Sequence, residues 1–189
     1  AIFNSGGTVT ITGGLFDINH ADEGGGAIAS DGTLSISGAH FENNEAGYDH
    51  GGAISIYDSI LTVTDSTFEG NYAKSGYGGA IYQEYGDITI IGSRFYDNYA
   101  SDGGAVNNDY GITDISSSSF YSNESVFGGA LSTLDGEIYV TNSTIYGNRA
   151  DSSGGGILND DGFVSLIHVT LVNNSDTDGG GNYSTDSDM

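Results

Sequence analysis

Short segments in which apolar and polar residues alternate recur along the chain. In TVTIT, at Thr8–Thr12, two aliphatic residues alternate with threonines, and EIYVT at Glu137–Thr141 shows the same alternation. Since successive side chains of a strand point to opposite faces, this pattern predicts strands with one buried and one solvated face. The predicted buried pairs are Val9/Ile11, Leu34/Ile36, Leu61/Val63, Ile88/Ile90, Ile138/Val140 and Val164/Leu166. One segment breaks the pattern by pairing Thr113 with Ile115.

These segments belong to a repeat of 25 to 27 residues. Each unit contains a Gly-Gly-Ala phrase, then the alternating segment, then a Phe or aliphatic residue with an Asn three places later. The third residues of the phrase are Ala1, Ala27, Ala53, Ala80, Ala105, Ala130, Gly156 and Gly181. The later pairs are Phe16/Asn19, Phe41/Asn44, Phe68/Asn71, Phe95/Asn98, Phe120/Asn123, Ile145/Asn148 and Leu171/Asn174. We expect two further short strands, one after the Gly-Gly-Ala phrase and one around the Phe.

The repeat predicts an all-β fold. A unit of this length cannot bury its apolar side alone, but stacked units can pair each strand with its equivalent in the next unit. We therefore predict a right-handed parallel β-helix of about seven coils, with three short strands per coil and one solenoid over residues 1–189. The frequent glycines and the lack of a 3.6-residue apolar stripe argue against helices.

The repeated residues have expected structural roles in such a coil. Stacked rings would fill the interior, and the amide side chains at the bend would form a ladder from coil to coil. The paired glycines would supply backbone conformations that other residues resist. We treat the repeat-motif positions as mainly structural binding candidates: Phe41, Asn44, Phe68, Asn71, Phe95, Asn98, Phe120 and Asn123.

Charge excludes several partners. The chain has 26 acidic residues and 3 basic ones, a formal net charge of −23. Phosphate contacts need Lys or Arg, so we expect no nucleic-acid binding, and the acidity also disfavours an anionic membrane surface. No apolar run is long enough to cross a bilayer, so we expect no direct membrane insertion. The absence of Cys leaves the redox compartment open.

Outward-facing residues are the places where binding could occur. The position after the Phe carries three consecutive tyrosines, Tyr96, Tyr121 and Tyr146, which we expect either to contact sugars or to form an ordinary aromatic ladder. Outward threonines in the first units make an ice-binding surface a minor alternative. Acidic residues crowd the loops before the Gly pairs, where solvated turns are the default interpretation, so we expect no cofactor and keep calcium as the alternative. The candidate ligands are Asp102, Asp151, Asp176 and Asp178.

The two motifs in register resemble the repeat of the chlamydial polymorphic membrane proteins. GGAI occurs at Gly25–Ile28, Gly51–Ile54 and Gly78–Ile81, and FxxN follows in each unit. The resemblance implies the surface-exposed β-helical passenger of an autotransporter, with both motifs implicated in adhesion. It therefore implies an extracellular or outer-membrane-associated protein, a passenger, stalk or fibre subunit, that contacts other surface proteins or glycans.

Enzyme chemistry is the main alternative, as in polysaccharide-degrading β-helices similar to pectate lyases. The cations that a lyase would need, Lys74, Arg94 and Arg149, occupy different repeat positions. The four histidines also fall at different repeat positions, so we expect them to make no ligand cluster. Near-perfect repetition argues against an active site, which would interrupt the pattern, and Thr113 marks the one interruption. We therefore predict a protein that is not an enzyme.

The ends lack recognisable caps, which solenoids normally carry. We expect a segment of a longer protein or a protomer that self-associates end to end through exposed strand edges.

Overall fold

The chain winds into a right-handed parallel β-helix with three sheets running along its axis. The computed structural model describes residues 2–178 and 180–186. Every strand pairing in this part of the chain is parallel and joins consecutive coils, as in the register Phe41 to Phe68 to Phe95. The predicted fold class is confirmed. Ala1, which begins the first predicted unit, and Met189, which ends the predicted solenoid, lie outside the described residues.

The first sheet has thirteen strands and contains two strand positions per coil. The position after the Gly pair is occupied by Ile2–Asn4, Ile28–Ser30, Val106–Asp109, Leu131–Leu134, Ile157–Asp160 and Tyr183–Asp186. The alternating segments form Thr8–Thr12, Thr33–Ser37, Ile112–Ser116, Glu137–Thr141 and Phe163–Ile167. In two coils both positions merge into the long strands Ile54–Thr64 and Ile81–Ile91.

The second sheet consists of the seven strands around the Phe column. They are Leu15–Asp17, His40–Glu42, Thr67–Glu69, Arg94–Tyr96, Ser119–Tyr121, Thr144–Tyr146 and Thr170–Val172. The third sheet has six strands after the Asn column, which are His20–Ala21, Glu45–Ala46, Tyr72–Ala73, Tyr99–Asp102, Glu124–Phe127 and Arg149–Ala150. Two of the predicted strand positions thus share one sheet, and the third sheet is built from a strand that the alternation did not predict.

The aliphatic columns and the Phe column meet in one core. Leu34, Ile36, Phe41 and their equivalents in the inner coils are at most 2% exposed. In the first and last of the predicted pairs the burial is incomplete: Val9, Ile11 and Val164 are half-buried, and Leu166 is 37% exposed. Burial on one face of each strand is therefore confirmed for the inner coils and weakens towards both ends of the described solenoid.

The irregular segment at Thr113 keeps a buried position. The Thr113 side chain is fully buried, and its hydroxyl donates to the Gln83 amide oxygen of the preceding coil at 3.3 Å. A hydrogen bond between two buried polar side chains thus compensates for the missing aliphatic residue. The interruption in the repeat has a structural explanation.

Left-handed residues turn the chain at a fixed place, immediately before each Asn of the ladder. There φ lies between 53° and 62° in seven successive coils, in a region that Gly, Asn and Asp tolerate best. The second Gly of each pair is required for a steric reason and not for its φ value. A Cβ at Gly104 would lie 2.2 Å from the Gly129 carbonyl oxygen of the next coil, so no larger residue fits.

Candidate functional site

The Asn side chains form the expected ladder through the inside of the bend. Asn71 donates from Nδ2 to Oδ1 of Asn98 at 2.9 Å and to the Phe41 carbonyl oxygen at 3.0 Å. Its backbone N–H donates to the same Asn98 oxygen at 3.0 Å. The pattern continues from Asn19 to Asn174, and the inner amides are at most 1% exposed. Such buried amides are satisfied within the fold and have no surface to offer a partner.

The Phe side chains form a continuous stack. Neighbouring ring centroids from Phe16 to Phe120 lie 4.6 to 4.8 Å apart, with interplanar angles of 8° or less. Phe41, Phe68, Phe95 and Phe120 are completely buried. The motif residues of the repeat therefore lie in the core, which leaves the variable outward residues as candidates for binding.

The predicted tyrosines form a ridge on the second sheet, which we call the Tyr ridge (Tyr96, Tyr121 and Tyr146). Their centroids lie 4.9 and 5.1 Å apart and their planes differ by 4° and 12°. The Tyr96 hydroxyl donates to Glu69 of the preceding coil, and Tyr146 is 40% exposed. Partial burial raises the pKa of Tyr96 and of Tyr121, so both hydroxyls stay protonated near neutrality. Because the rings stack face to face, the ridge presents their edges and hydroxyl groups to the outside.

Three of the four predicted calcium ligands lie close together in neighbouring coils, where the Thr177 hydroxyl donates to the Asp151 carbonyl oxygen at 2.7 Å, but their carboxylates make different contacts. Asp151 pairs with Arg149, and Asp178 accepts a hydrogen bond from the Ser152 hydroxyl at 2.9 Å. Asp176 accepts from the backbone N–H groups of Gly154 and Gly180, at 2.8 and 3.0 Å. Asp102 lies elsewhere, at the edge of a cleft. Calcium binding stays a prediction, which melting with and without a chelator would test.

The cleft lies between the end of the third sheet and the outer face of the first. One wall carries Tyr77, Asp102 and Phe127, which are register neighbours in consecutive coils. The floor and the other wall come from strands Val106–Asp109, Leu131–Leu134 and Ile157–Asp160. A space of about 140 Å³ continues into one of about 210 Å³, which shares three of its lining residues. We call this the acidic cleft; its lining includes Tyr77, Asp102, Asn107, Asp109, Phe127, Ser132, Leu134, Ser153, Leu158 and Asp160.

The carboxyl groups of the acidic cleft are poorly solvated. Burial, together with a smaller contribution from the nearby Asp160 charge, raises the pKa of Asp102 to about 6. Burial also raises the pKa of Asp109 to about 6, with contributions from Asp102 and Glu84, against a hydrogen bond from Tyr82 that lowers it. That bond runs from the Tyr82 hydroxyl to Oδ2 of Asp109 at 3.2 Å. Near neutral pH the cleft therefore holds negative charge at a cost in desolvation.

An aromatic cluster closes one end of the acidic cleft. The His50 ring stacks on Tyr77, with centroids 4.6 Å apart, and makes a tilted contact with Tyr82 at 4.4 Å. Burial lowers the pKa of His50, with Asp49 and Glu84 acting in the opposite direction, so its ring is neutral at neutral pH. The cleft thus begins at this cluster and runs along the axis over the following coils.

The expectation that the histidines make no ligand cluster needs a correction. His40, Glu42 and Glu69 offer ligand atoms that all lie within 4.8 Å of one another. The group forms because His40 and Glu42 lie two residues apart on one strand, and Glu69 is the register partner of Glu42 in the next coil. The repeat positions of the histidines alone do not indicate this group. The repeat position two residues after His40, which carries Glu42 and Glu69 in consecutive coils, does indicate it.

The chain is thus a β-helix repeat protein, in which the repeated motif residues are buried and the variable residues face outward. Two segments, residues 65–84 and 142–160, match the model of the Chlamydia polymorphic membrane protein repeat. The resemblance seen in the sequence is thereby confirmed over these two segments. The family points to an outer-membrane or cell-surface location. No curated protein and no solved structure matched the chain. No helix in the described part of the chain is long and apolar enough to span a bilayer.

Proposed function

We propose that this chain is a non-enzymatic part of a cell-surface rod that adheres to other surfaces through its outward residues. The fold and the repeat family support a surface β-helix protein. The adhesive part of the proposal rests on the Tyr ridge. It is the place where one outward column carries the same aromatic residue in three consecutive coils of the second sheet.

The ridge suits contact with glycans or protein surfaces. Stacked rings with centroids about one coil apart are already ordered, so binding on them costs little side-chain entropy. Aromatic side chains are also enriched among the residues that contribute most to interfaces. Tyr96 is fixed further by its hydrogen bond to Glu69. The ridge therefore offers a rigid amphipathic strip.

An adhesion assay tests this proposal. Beads coated with the chain are counted on cultured animal cells and on immobilised polysaccharides, and the triple variant Tyr96→Ser, Tyr121→Ser, Tyr146→Ser is compared with the wild type. The matched control changes three other exposed tyrosines, Tyr57, Tyr85 and Tyr110, to Ser. We expect the ridge variant alone to lose most of the bound beads. Equal loss in both variants, or no adhesion by the wild type, contradicts the adhesive role.

End-to-end self-association is a separate prediction. Sedimentation over a range of protein concentrations tests it, because particles that stack grow in mass with concentration whereas monomers do not.

Polysaccharide hydrolysis is the second candidate function, and one observation favours it. Asp102 and Asp109 line the same cleft, and the raised pKa of each, about 6, is what a general acid near neutrality requires. Release of reducing sugar from neutral polysaccharides that Asp102→Asn abolishes would support it. No release from any polysaccharide tested would leave the non-enzymatic proposal as the better one.

A further inference from the structure

The acidic cleft contains hydrogen-bond acceptors in excess of donors. Its lining includes the carboxylates of Asp102, Asp109 and Asp160, and no Lys or Arg is among the described residues that line it. On its floor Asn107 is 3% exposed, and its Oδ1 has no hydrogen-bond partner. A buried acceptor without a donor costs free energy, so a ligand that brings donors to this place is favoured.

The Asn107 side chain belongs to an outward column. Its register neighbours are Tyr82 in the preceding coil and Ser132 in the following one, and both Asn107 and Ser132 line the cleft. The unpartnered oxygen is therefore on the side of the strand that bears the cleft, not on the core side. This observation is independent of the acidic residues around it.

The arrangement favours an extended ligand over a single metal ion. Among the described residues, the ligand atoms that converge within 4.8 Å belong to His40, Glu42 and Glu69, on the second sheet. The cleft carboxylates form no such group in this part of the chain. Asp109 and Asp160 lie two coils apart on the same column, about 10 Å given a strand spacing of about 4.8 Å.

Apolar surfaces alternate with the acceptors. Leu134 lies between Asp109 and Asp160 in the register, and Tyr77 and Phe127 flank Asp102 on the opposite wall. Arg and Lys combine a charged end with an aliphatic stem, and the guanidinium group also stacks on aromatic rings. A carboxylate can accept two parallel hydrogen bonds from one guanidinium.

We propose that the acidic cleft binds the guanidinium groups of an arginine-containing segment of a partner protein. Asp102, Asp109 and Asp160 accept the charged hydrogen bonds, Asn107 accepts one more, and the apolar walls contact the stems. A segment in the polyproline II conformation fits the spacing. Residues three apart in it lie on one side, about 9.3 Å from each other, close to the separation of Asp109 and Asp160.

A labelled peptide with the core sequence Arg-Pro-Pro-Arg tests the proposal by fluorescence anisotropy at about 0.15 M salt, where long-range attraction to the acidic rod is largely screened. The test variant is Asp102→Asn with Asp109→Asn. The control variant, Asp87→Asn with Asp114→Asn, removes the same charge from exposed positions of the first sheet outside the cleft. A second peptide replaces both arginines by citrulline, which keeps the shape and removes the charge. Thermal melting checks that each variant is folded.

We expect the cleft variant and the citrulline peptide each to weaken binding about tenfold or more, and the control variant to change it by less than about twofold. Asn107→Ala is expected to weaken binding several-fold without changing the net charge. Equal weakening by the cleft and control variants would show attraction to the whole acidic surface and overturn the proposal. So would equal binding of the citrulline peptide, no binding by the folded wild type, or displacement of the peptide by calcium or a neutral oligosaccharide at the cleft.

Discussion

Replacing Asn98 by Ala removes an inner member of the Asn ladder. The Asn98 amide donates to the Phe68 carbonyl oxygen and to Oδ1 of Asn123, at 3.1 and 2.9 Å. Its oxygen accepts from the backbone N–H and from Nδ2 of Asn71, at 3.0 and 2.9 Å. At roughly 1 kcal/mol for each buried hydrogen bond, the loss in free energy of unfolding is about 4 kcal/mol.

Asn19 offers a matched control in the same position of the first coil. Its side chain donates to Oδ1 of Asn44 at 2.8 Å, and its backbone N–H, which an Ala would keep, donates to the same oxygen at 3.1 Å. Asn19→Ala is therefore expected to cost about 1 kcal/mol, so the two variants should differ by roughly 3 kcal/mol. Asn98→Asp should also destabilise strongly at neutral pH, because it replaces two donated bonds by a buried negative charge.

Urea unfolding followed by circular dichroism measures these differences. Because coils of a solenoid can open separately, hydrogen exchange of the neighbouring backbone amides is needed to detect local opening around Asn98. A difference of less than about 1 kcal/mol between Asn98→Ala and Asn19→Ala, with no change in exchange, would refute the view that the ladder contributes hydrogen bonds additively to stability.

Three further predictions concern the core, the Gly pair and the acidic cleft. Phe95→Ala leaves a cavity between two stacked rings and should cost about 3–5 kcal/mol in urea unfolding. Gly104→Ala places a Cβ against the Gly129 carbonyl oxygen and should prevent adjacent coils from pairing, seen as loss of the folded circular dichroism signal. The folded-state pKa values of Asp102 and Asp109, about 6, lie above the ordinary value, so their stabilising contribution is present below about pH 4 and lost as the pH rises through 6. The wild type should therefore lose more unfolding free energy between about pH 4 and pH 7 than the variant with both residues changed to Asn; an equal loss would contradict these shifts.

The repeat made the fold predictable. A residue type that recurs once per coil must stack on itself, so Phe95 and Asn98 could be assigned to a ring stack and an amide ladder from spacing alone. The two-residue strands of the third sheet, such as Tyr72–Ala73, are too short to show an alternation. Buried serines form a second ladder, in which the Ser66 N–H donates to the Ser93 hydroxyl at 3.2 Å. Serine is so common in turns that its repetition does not by itself indicate a ladder.

The candidate site was harder to predict. Asp102 was a candidate as an acidic loop residue, but Asp109 lies in a segment that reads as a strand end. Both residues line the cleft because the chain turns at the Gly pair between them. The sequence pattern shows that a turn occurs there, but not how close it brings the two side chains. The sequence also does not reveal the turns at Tyr85 and Tyr110. Both residues adopt left-handed φ values, 54° and 62°, which few bulky residues do.

The Asn ladder also gives the rod an electrical direction. Each amide oxygen accepts from the preceding coil, and one N–H of each amide donates to the following coil while the other donates to a Phe carbonyl oxygen of the preceding one. The amide dipoles, about 3.5 D each, therefore have components along the axis that add, as peptide dipoles do in a helix. Positive potential accumulates towards Asn174 and negative potential towards Asn19. Asp176 and Asp178 follow Asn174 closely, as acidic residues do at helix N-termini. The electrostatic potential that a charged partner meets would therefore differ between the two directions along the rod, even where the outward residues are the same.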